Sequence, residues 1–370
     1  MESRIKILHI LYSGLGGHGN VFFSMVNADK QKEFEHEALF NGIEELRDEY
    51  KLRCEQNDIH FNFIKKKAGL DLSFYKNLIT AIKSANPNII FLHGSTQIFW
   101  AKIAAVLKKQ KSIIIVRETQ ANNLKTTQDW LWLSTALLLA NKLVFLSQAY
   151  NLEITKKLSW LYNAKKITVI PNGIDLQQYR PKHEGNKNKV VIGMQSRIVK
   201  IKDHITLLHA FASLIKNDSG LNKKVLLKIA GDGECRRDLE QLTLQLGIVE
   251  HVEFTGMLTE QQLIQFLNGL DIYVHASFGE TMSTAIMQAM ACGLPIIASD
   301  VPGINNMITN KITGLLVPVQ DVNQLADAMR LCLQNQKFNA ELGENAHKFA
   351  EQYYSNQKMF TAYKEIFEMS

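Results

Sequence analysis

The chain has 370 residues, of which 46% are hydrophobic and 21% charged, as in globular proteins, and this length suits two domains of ordinary size. Its 42 Lys and Arg against 36 Asp and Glu give a formal net charge of +6 at pH 7. Four scattered cysteines and a longest apolar stretch of residues 130–140 argue against a disulfide framework, a metal cluster and a transmembrane helix. The first residues lead into a predicted strand without a secretory signal, so we expect a cytoplasmic protein.

The positive charge is concentrated in the first half of the chain. Residues 1–178 carry 23 Lys and Arg against 16 Asp and Glu. A basic surface attracts anionic partners, so one interpretation is peripheral contact with the inner face of the cell membrane or with an acidic acceptor. The other interpretation is a set of ordinary solvated lysines. We do not expect a nucleic-acid partner.

Short apolar runs alternate with helical segments through this half. Predicted strands cover residues 4–13, 36–40, 60–64, 88–92, 112–116 and 142–146. Predicted helices begin near residue 20 and cover residues 73–84, 97–109 and 127–141. The alternation predicts a parallel, doubly wound α/β sheet, and ligands bind such sheets beyond the carboxyl ends of the strands. His93, Arg117 and Glu118 follow strand ends and are therefore candidate site residues, although a packing role is open for His93.

A glycine-rich loop follows the first predicted strand. Gly14, Gly16 and Gly19 match the pattern G-x-G-x-x-G, which is a weak indication of a dinucleotide site. Such a site also requires an acidic residue at the end of the second strand, and residues 40–42 contain none. NAD binding is therefore not favoured. Glycines here, Gly17 included, equally allow a backbone to approach a phosphate.

The helix predicted over residues 127–141 is apolar on nearly every face. Such a helix is usually buried, and burial is the interpretation we favour. The alternative is that Trp130 and Trp132 lie in a membrane interface.

The second half repeats the same alternation after a turn and a polar segment. Residues 171–173 read Pro-Asn-Gly, which is strong turn chemistry, and residues 180–189 suggest an interdomain linker. Predicted strands cover residues 190–197, 224–234, 252–258, 271–277 and 295–299, and the last helices cover residues 322–335, 339–353 and 357–367. We therefore predict two domains, residues 1–178 and residues 179–353.

Residues 277–300 contain the clearest candidate site. Glu280 is predicted to begin a helix that Gly293 and Pro295 end, before a short buried strand. The amides that begin this helix would favour an anion, and they belong to Met282, Ser283 and Thr284. Arg197 and Lys202 follow another strand end, and two cations beside a helix N-terminus suit a diphosphate.

These segments in this order resemble glycosyltransferase family 4, the retaining enzymes of the GT-B fold, over nearly the whole chain. The similar segments are Gly16-Gly17, the strand end before His93, and residues 170–175, 196–203, 230–234, 252–258 and 280–300. The resemblance implies two Rossmann-like doubly wound parallel-sheet domains that face a cleft. It also implies that the last helix, residues 354–370, crosses back onto the first domain, whereas the sequence alone leaves open that it caps the second.

Carried over to this chain, the resemblance assigns four catalytic positions and a donor-binding set. Arg197 and Lys202 would neutralise the donor diphosphate, Glu280 would bind sugar hydroxyls, and His93 would contact the donor sugar. The donor-binding set is Gly16, Gly17, Gly231, Asp232, Gly233, Met257, Leu258, Met282, Ser283, Thr284 and Gln288. The acceptor-side residues would be Arg117 and Glu118.

One position departs from the family pattern. The second of two glutamates eight positions apart is Gln288 here, and a glutamine keeps one acceptor oxygen but loses the charge. Ribose binding is therefore expected to be weaker or differently oriented. Because fixed cations would assist departure of the leaving group, the resemblance implies a reaction without metal or other cofactor, and the lack of an Asp-x-Asp pair in the sequence agrees.

The implied activity is transfer of a hexose-type sugar, with retention, from a nucleotide-diphosphate-sugar, a UDP-sugar being favoured. The acceptor would be a glycan or a lipid-linked saccharide, as in surface polysaccharide or lipopolysaccharide biosynthesis. Two alternatives stay open. One is a sugar-nucleotide 2-epimerase of the same fold, and the other is a non-catalytic subunit that binds a nucleotide sugar.

Overall fold

A computed structural model describes residues 4–14, 16–108, 111–182, 189–217 and 224–369. The chain divides into two compact units. The first consists of Met1–Asp175 with Asn356–Ser370, and the second is Leu176–Ser355. Within the predicted linker 180–189, residues 183–188 lie outside the described residues.

The described residues form thirteen strands and thirteen α-helices. The strands are β1 Ile5–Tyr12, β2 Phe34–Gly42, β3 His60–Lys65, β4 Ile89–Leu92, β5 Ile113–Arg117, β6 Lys142–Phe145, β7 Ile167–Val169, β8 Val190–Gln195, β9 Val225–Ala230, β10 Val252–Gly256, β11 Ile272–His275, β12 Ile296–Ser299 and β13 Leu315–Val317. The helices are α1 Gly17–Ala28, α2 Asp48–Gln56, α3 Leu72–Ala85, α4 Ile98–Val106, α5 Thr127–Leu139, α6 Gln148–Lys157, α7 His204–Asn217, α8 Arg236–Leu246, α9 Glu260–Asn268, α10 Thr284–Ala291, α11 Val322–Gln334, α12 Gln336–Tyr353 and α13 Asn356–Glu368.

The first unit is built on a seven-stranded parallel sheet in the order β3-β2-β1-β4-β5-β6-β7. Successive residues of its central strands point to opposite faces, so Ile90 and Leu92 pack with α3, α4 and α5, whereas Ile89 and Phe91 pack with α1 and α13. Because helices cover both faces, β4 is buried along its whole length. The predicted parallel, doubly wound sheet is confirmed.

The last helix packs against the first unit. Its Phe367 is fully buried, with its ring 5.2 Å from Phe34 and 6.1 Å from Phe91, and it stacks on Tyr363. The chain enters this helix beside the strand-end segment 170–175, where the amide of Asn356 donates to the carbonyl of Ile174 at 2.8 Å.

Helix α5 is buried on one side only. Leu133 and Leu137 face the core, while Leu131 and Leu138 are 63% and 59% exposed. Trp130 is half-buried, and its ring lies under the ammonium of Lys157 at 3.8 Å. The outer side of this helix is therefore apolar and accessible within its unit.

The second unit has a six-stranded parallel sheet in the order β10-β9-β8-β11-β12-β13. Because all six strands are parallel, the loops after β8, β9, β10 and β11 emerge at one edge. Two elements differ from the sequence-based expectation. The three-residue strand β13 was not predicted, and α10 begins at Thr284 rather than at Glu280, since Ser283 caps it by accepting a hydrogen bond from the amide of Ile286.

The packing of α13 generates a prediction about stability. Phe367→Ala removes a buried ring that contacts two strands, so the free energy of unfolding of the first unit should fall by about 3 to 5 kcal/mol. Thermal and urea unfolding measure this change. Met369→Ala is the matched control, because Met369 is 75% exposed two residues later. Equal stability of the two variants would contradict the packing described here.

Candidate functional site

Two loops at the carboxyl edge of the second sheet are joined by backbone hydrogen bonds. The amide of Phe278 donates to the carbonyl of Ile201 at 3.0 Å, and the amide of Asp203 donates to the carbonyl of Ala276 at 3.1 Å. These bonds hold the segment after β8 against the segment after β11. As a result the side chains of Lys202 and Glu280 meet, 78 positions apart in the chain.

The carboxylate of Glu280 is held by two donors on the same oxygen. Lys202 Nζ contacts Glu280 Oε1, and His275 Nε2 lies 2.9 Å from that atom. On its other side, His275 Nδ1 lies 3.1 Å from the hydroxyl of Tyr273, which also lies 3.2 Å from the carbonyl oxygen of Gln195. We call Lys202, His275 and Tyr273, with Glu280, the glutamate cluster.

Burial sets the protonation of this cluster. Burial, and then the charges of Lys202 and His204, lower the pKa of His275 well below its usual value, so its imidazole is neutral. With its proton on Nε2 the ring donates to the carboxylate of Glu280, and its Nδ1 then shares the hydroxyl proton of Tyr273 with the carbonyl oxygen of Gln195. Burial, and then the charge of Arg197, lower the pKa of Lys202 to about 7, while the contact with Glu280 favours the charged form.

The loop that carries Arg197 rests on a glycine turn. A Cβ at Gly231 would lie 1.9 Å from the carbonyl oxygen of Ser196, and Gly231 has φ +130°. A Cβ at Gly233 would lie 2.3 Å from the carbonyl oxygen of Ile198. The amide of Ile198 donates to the carbonyl of Asp232 at 2.8 Å, so this backbone is held close to the turn. The predicted glycine turn thus supports the loop, and it leaves the side chain of Arg197 exposed.

A third glycine positions Glu280. Gly303 has φ +88°, and a Cβ there would lie 2.0 Å from the carbonyl oxygen of Glu280. Any side chain at this position would displace the loop that carries the carboxylate.

Sequence reasoning missed Gly303, His275 and Tyr273. The only signal for the glycine was a Pro-Gly turn, and the two ring side chains lie inside a short strand that reads as core.

The remaining donor-side candidates of the second unit lie on the same edge. Gln288 is buried in α10, and its Oε1 accepts from Gln195 Nε2 at 3.4 Å. Met257 and Leu258 directly follow β10, and Gly256 at the end of that strand accepts a hydrogen bond from the amide of Gly231 at 2.8 Å. Met282, Ser283 and Thr284 lie at the start of α10. The structure therefore gathers the predicted donor-side residues of this unit at one sheet edge.

The first unit contains its own candidate residues. His93 follows β4, is 6% exposed, and places Nε2 3.2 Å from Nδ1 of the buried His9. Gly17 begins α1, and Gly16 directly precedes it. These candidates belong to a different unit from Lys202 and Glu280.

Arg117 and Glu118 are buried in the first unit. The guanidinium of Arg117 donates to the side-chain oxygen of Asn172, and Glu118 Oε1 lies 3.2 Å from Lys125 Nζ. Both residues therefore have structural partners in this unit, and their contact with an acceptor stays a prediction.

The described ranges contain neither a metal-binding cluster nor a helix that could cross a membrane. In those ranges, His, Cys, Asp and Glu side chains form no group of three suited to a metal ion. No helix within them combines the length and the apolar character that crossing a bilayer requires. Independence from metal stays a prediction.

Solved structures share this architecture along the whole chain. The crystal structure of Anabaena HepE in complex with UDP and glucose aligns with a TM-score of 0.83 at 18% identity, covering 99% of this chain and 100% of that one. At this identity the likeness shows the fold. The fold is therefore GT-B, with two Rossmann-like parallel-sheet domains.

Sequence comparison identifies relatives of both units. Residues 15–178 match the family description Glycosyltransferase Family 4, and residues 175–349 match Glycosyl transferases group 1.

The alpha-monoglucosyldiacylglycerol synthase of Streptococcus pneumoniae is 34% identical over 44% of this chain and 40% of its own length. A UDP-Gal:alpha-D-GlcNAc-diphosphoundecaprenol alpha-1,3-galactosyltransferase of Escherichia coli is 25% identical over 70% of each chain. This chain spans about 40% to 60% of the length of the first curated relatives that it matches. The chain belongs to the family 4, group 1 glycosyltransferases.

Proposed function

We propose that the protein transfers a hexose-type sugar, with retention and without a metal, from a UDP-sugar to a glycan or lipid-linked saccharide. The observation that carries the proposal is the glutamate cluster, which combines a fixed carboxylate with Lys202 at a parallel-sheet edge. The printed names of relatives support the donor and acceptor classes, since HepE was crystallised with UDP and glucose and the E. coli relative uses UDP-Gal and a diphosphoundecaprenol acceptor. Surface polysaccharide or lipopolysaccharide synthesis is the process that these classes suit.

Lys202 and Arg197 are proposed to bind the donor diphosphate and to stabilise the charge that develops on the leaving nucleotide. A diphosphate would favour the charged form of Lys202, whose pKa burial lowers to about 7 in the free protein. Binding would thereby offset the desolvation of that ammonium group.

Glu280 is proposed to accept hydrogen bonds from hydroxyls of the donor sugar. Lys202 and His275 both contact Oε1, so the sugar would be recognised through Oε2. A carboxylate that is already oriented by two donors loses little side-chain freedom when the sugar binds. His275 and Tyr273 act here as positioning residues.

The other predicted residues complete the proposal. His93 contacts the donor sugar, the amides at the start of α10 hold the distal phosphate, and the backbone of Met257 and Leu258 holds the base. Gly16 and Gly17 approach the phosphates, and Gln288 binds the ribose.

We also propose peripheral contact of the first unit with the inner face of an anionic membrane. Leu131 and Leu138 on α5 are exposed, as are Phe99 and Val106 on the neighbouring α4. Exposed apolar side chains on a basic unit are suited to the interface of an anionic bilayer.

The role of Lys202 can be tested with a variant that keeps the length of the side chain. Lys202→Met should abolish the thermal stabilisation that a UDP-sugar gives the wild type, and it should lower kcat/KM by about 100-fold or more, because it removes a preorganised cation. Lys200→Met is the matched control, since Lys200 is exposed in the same loop. A screen of UDP-, GDP- and ADP-sugars identifies the donor. Equal activity of Lys202→Met and wild type would refute the assignment.

The positioning role of His275 can be tested with a pair of substitutions. Gln carries an N–H near the place of imidazole Nε2, so His275→Gln should keep the bond to Glu280 and lose less than about threefold in kcat/KM. His275→Leu removes that donor and should lose about tenfold or more, since a hydrogen bond to a charged group contributes about 1.5 to 3 kcal/mol. Transfer kinetics with the identified UDP-sugar measure both. Equal losses in the two variants would show that the hydrogen bond to Glu280 is unimportant.

Membrane contact can be measured by flotation with liposomes. The wild type should float with anionic vesicles at low salt and be released at high salt, because the electrostatic part of the attraction is screened. Exchange of Leu131 and Leu138 for serine should reduce flotation about tenfold or more, since both side chains lose apolar contact with the bilayer. The control is Leu244→Ser, which changes an exposed leucine of the second unit. Absence of flotation at low salt would leave the lysines as ordinary surface charge.

A further inference from the structure

A row of buried polar side chains runs through the first unit from His93 to Asp29. His93 Nε2 lies 3.2 Å from His9 Nδ1, and His9 Nε2 lies 3.0 Å from His36 Nδ1. His36 Nε2 in turn lies 3.5 Å from Asp29 Oδ2. We call these four residues the histidine row. The proposed function uses only its first member, His93.

The middle of the row is enclosed by aromatic side chains. His9 is fully buried, and its ring lies 4.8 Å from that of Phe22 and 5.1 Å from that of Phe91. The two ring nitrogens of His9 therefore satisfy their hydrogen bonds through the neighbouring histidines. A neutral imidazole has one donor and one acceptor nitrogen, so the hydrogen bonds along the row are all donated in the same direction.

Asp29 sets that direction. Its carboxylate accepts the amide of Glu33 at 2.9 Å and the amide of Phe34 at 3.1 Å. Burial alone would raise the pKa of Asp29, but the nearby His36 and the hydrogen bonds from these amides lower it, so the group is ionised. An ionised carboxylate can only accept, and with Oδ2 3.5 Å from His36 Nε2 it favours the His36 tautomer that carries its proton on Nε2.

The same direction of hydrogen-bond donation then holds for His9 and His93. His36 Nδ1 is left as an acceptor, so His9 donates from Nε2 and keeps a bare Nδ1. His93 in turn donates from Nε2 to that nitrogen. Burial, followed by the neighbouring charges, lowers the pKa of His9 and His93 well below the usual value, which agrees with neutral rings. The opposite direction would place a bare His36 Nε2 against the carboxylate of Asp29.

The Nδ1 atom at the end of the row has no hydrogen-bond partner within the described residues, although His93 is only 6% exposed. We propose that Asp29, His36 and His9 are positioning residues that hold His93 in one tautomer, in which Nδ1 accepts a hydrogen bond from a hydroxyl of the sugar substrate. The identity of the ligand rests on the proposed function, whereas the tautomer does not. A sugar that lacks this hydroxyl would leave Nδ1 unpaired and bind less well.

The tautomer can be measured without any substrate. Protein labelled with 15N in its histidine rings is examined at pH 8 by two-bond proton–nitrogen correlation, and the three signals are assigned from single variants. We expect His36, His9 and His93 each to carry one proton, on Nε2. A proton on Nδ1 of His93, or two protons on His36, would overturn the proposal.

The link to activity can be measured with a double-mutant cycle. His36→Leu should lower kcat/KM for transfer about tenfold, because His93 is no longer held in one tautomer. In a His93→Leu background the same change should cost nothing further, since it acts through His93. An equal cost in both backgrounds would indicate a purely structural role and refute the proposal. His60→Leu is the control and should leave kcat/KM unchanged, because the largely exposed His60 contacts Glu37 and lies outside the row.

These measurements separate the two proposals. If no sugar nucleotide is turned over or stabilises the protein, the proposed function fails while the tautomer result stands. If transfer is observed with His93 protonated on Nδ1, the proposed function stands and the inference about the row fails.

Discussion

The carboxylate of Glu280 is the constraint on which the sheet edge of the second unit depends. Its side chain is 14% exposed, and a largely buried charge is costly unless donors satisfy it. Lys202 and His275 supply those donors only because two loops are held together by the bonds of Ile201 to Phe278 and Ser277. Gly303 allows the chain to pass close to the Glu280 carbonyl. The packing of this edge and its chemistry therefore depend on the same contacts.

In both units a neutral histidine within a strand holds a neighbouring polar group in place. In the second unit His275 donates to Glu280, and in the first unit His9 connects His93 to the rest of the histidine row. Burial lowers the pKa of both His275 and His9, so neither buries an extra charge. A neutral imidazole still fixes which neighbour donates and which accepts. Such a side chain can orient a site residue at a small electrostatic cost.

The strand and helix alternation was predictable because parallel sheets require apolar strands separated by covering helices. The positions of Arg197, Lys202 and Glu280 followed from that pattern, since ligands collect beyond strand ends. His275 was not predictable, because every residue of β11 is buried and a polar residue there has no distinct periodicity. Strand β13 has only three residues, too few for a pattern. The start of α10 was misplaced because several nearby hydroxyl residues are suitable caps, and only the structure shows that Ser283 is used.

The departure at Gln288 is consistent with its surroundings. Its side chain is 3% exposed, and the partner of its Oε1 is the neutral amide of Gln195. A glutamate here would bury a negative charge against a single uncharged donor, which is unfavourable without further partners. A glutamine keeps the acceptor oxygen and adds an amide that can donate. The substitution therefore suits a site in which Glu280 supplies the fixed negative charge and the neighbouring position supplies neutral hydrogen bonds.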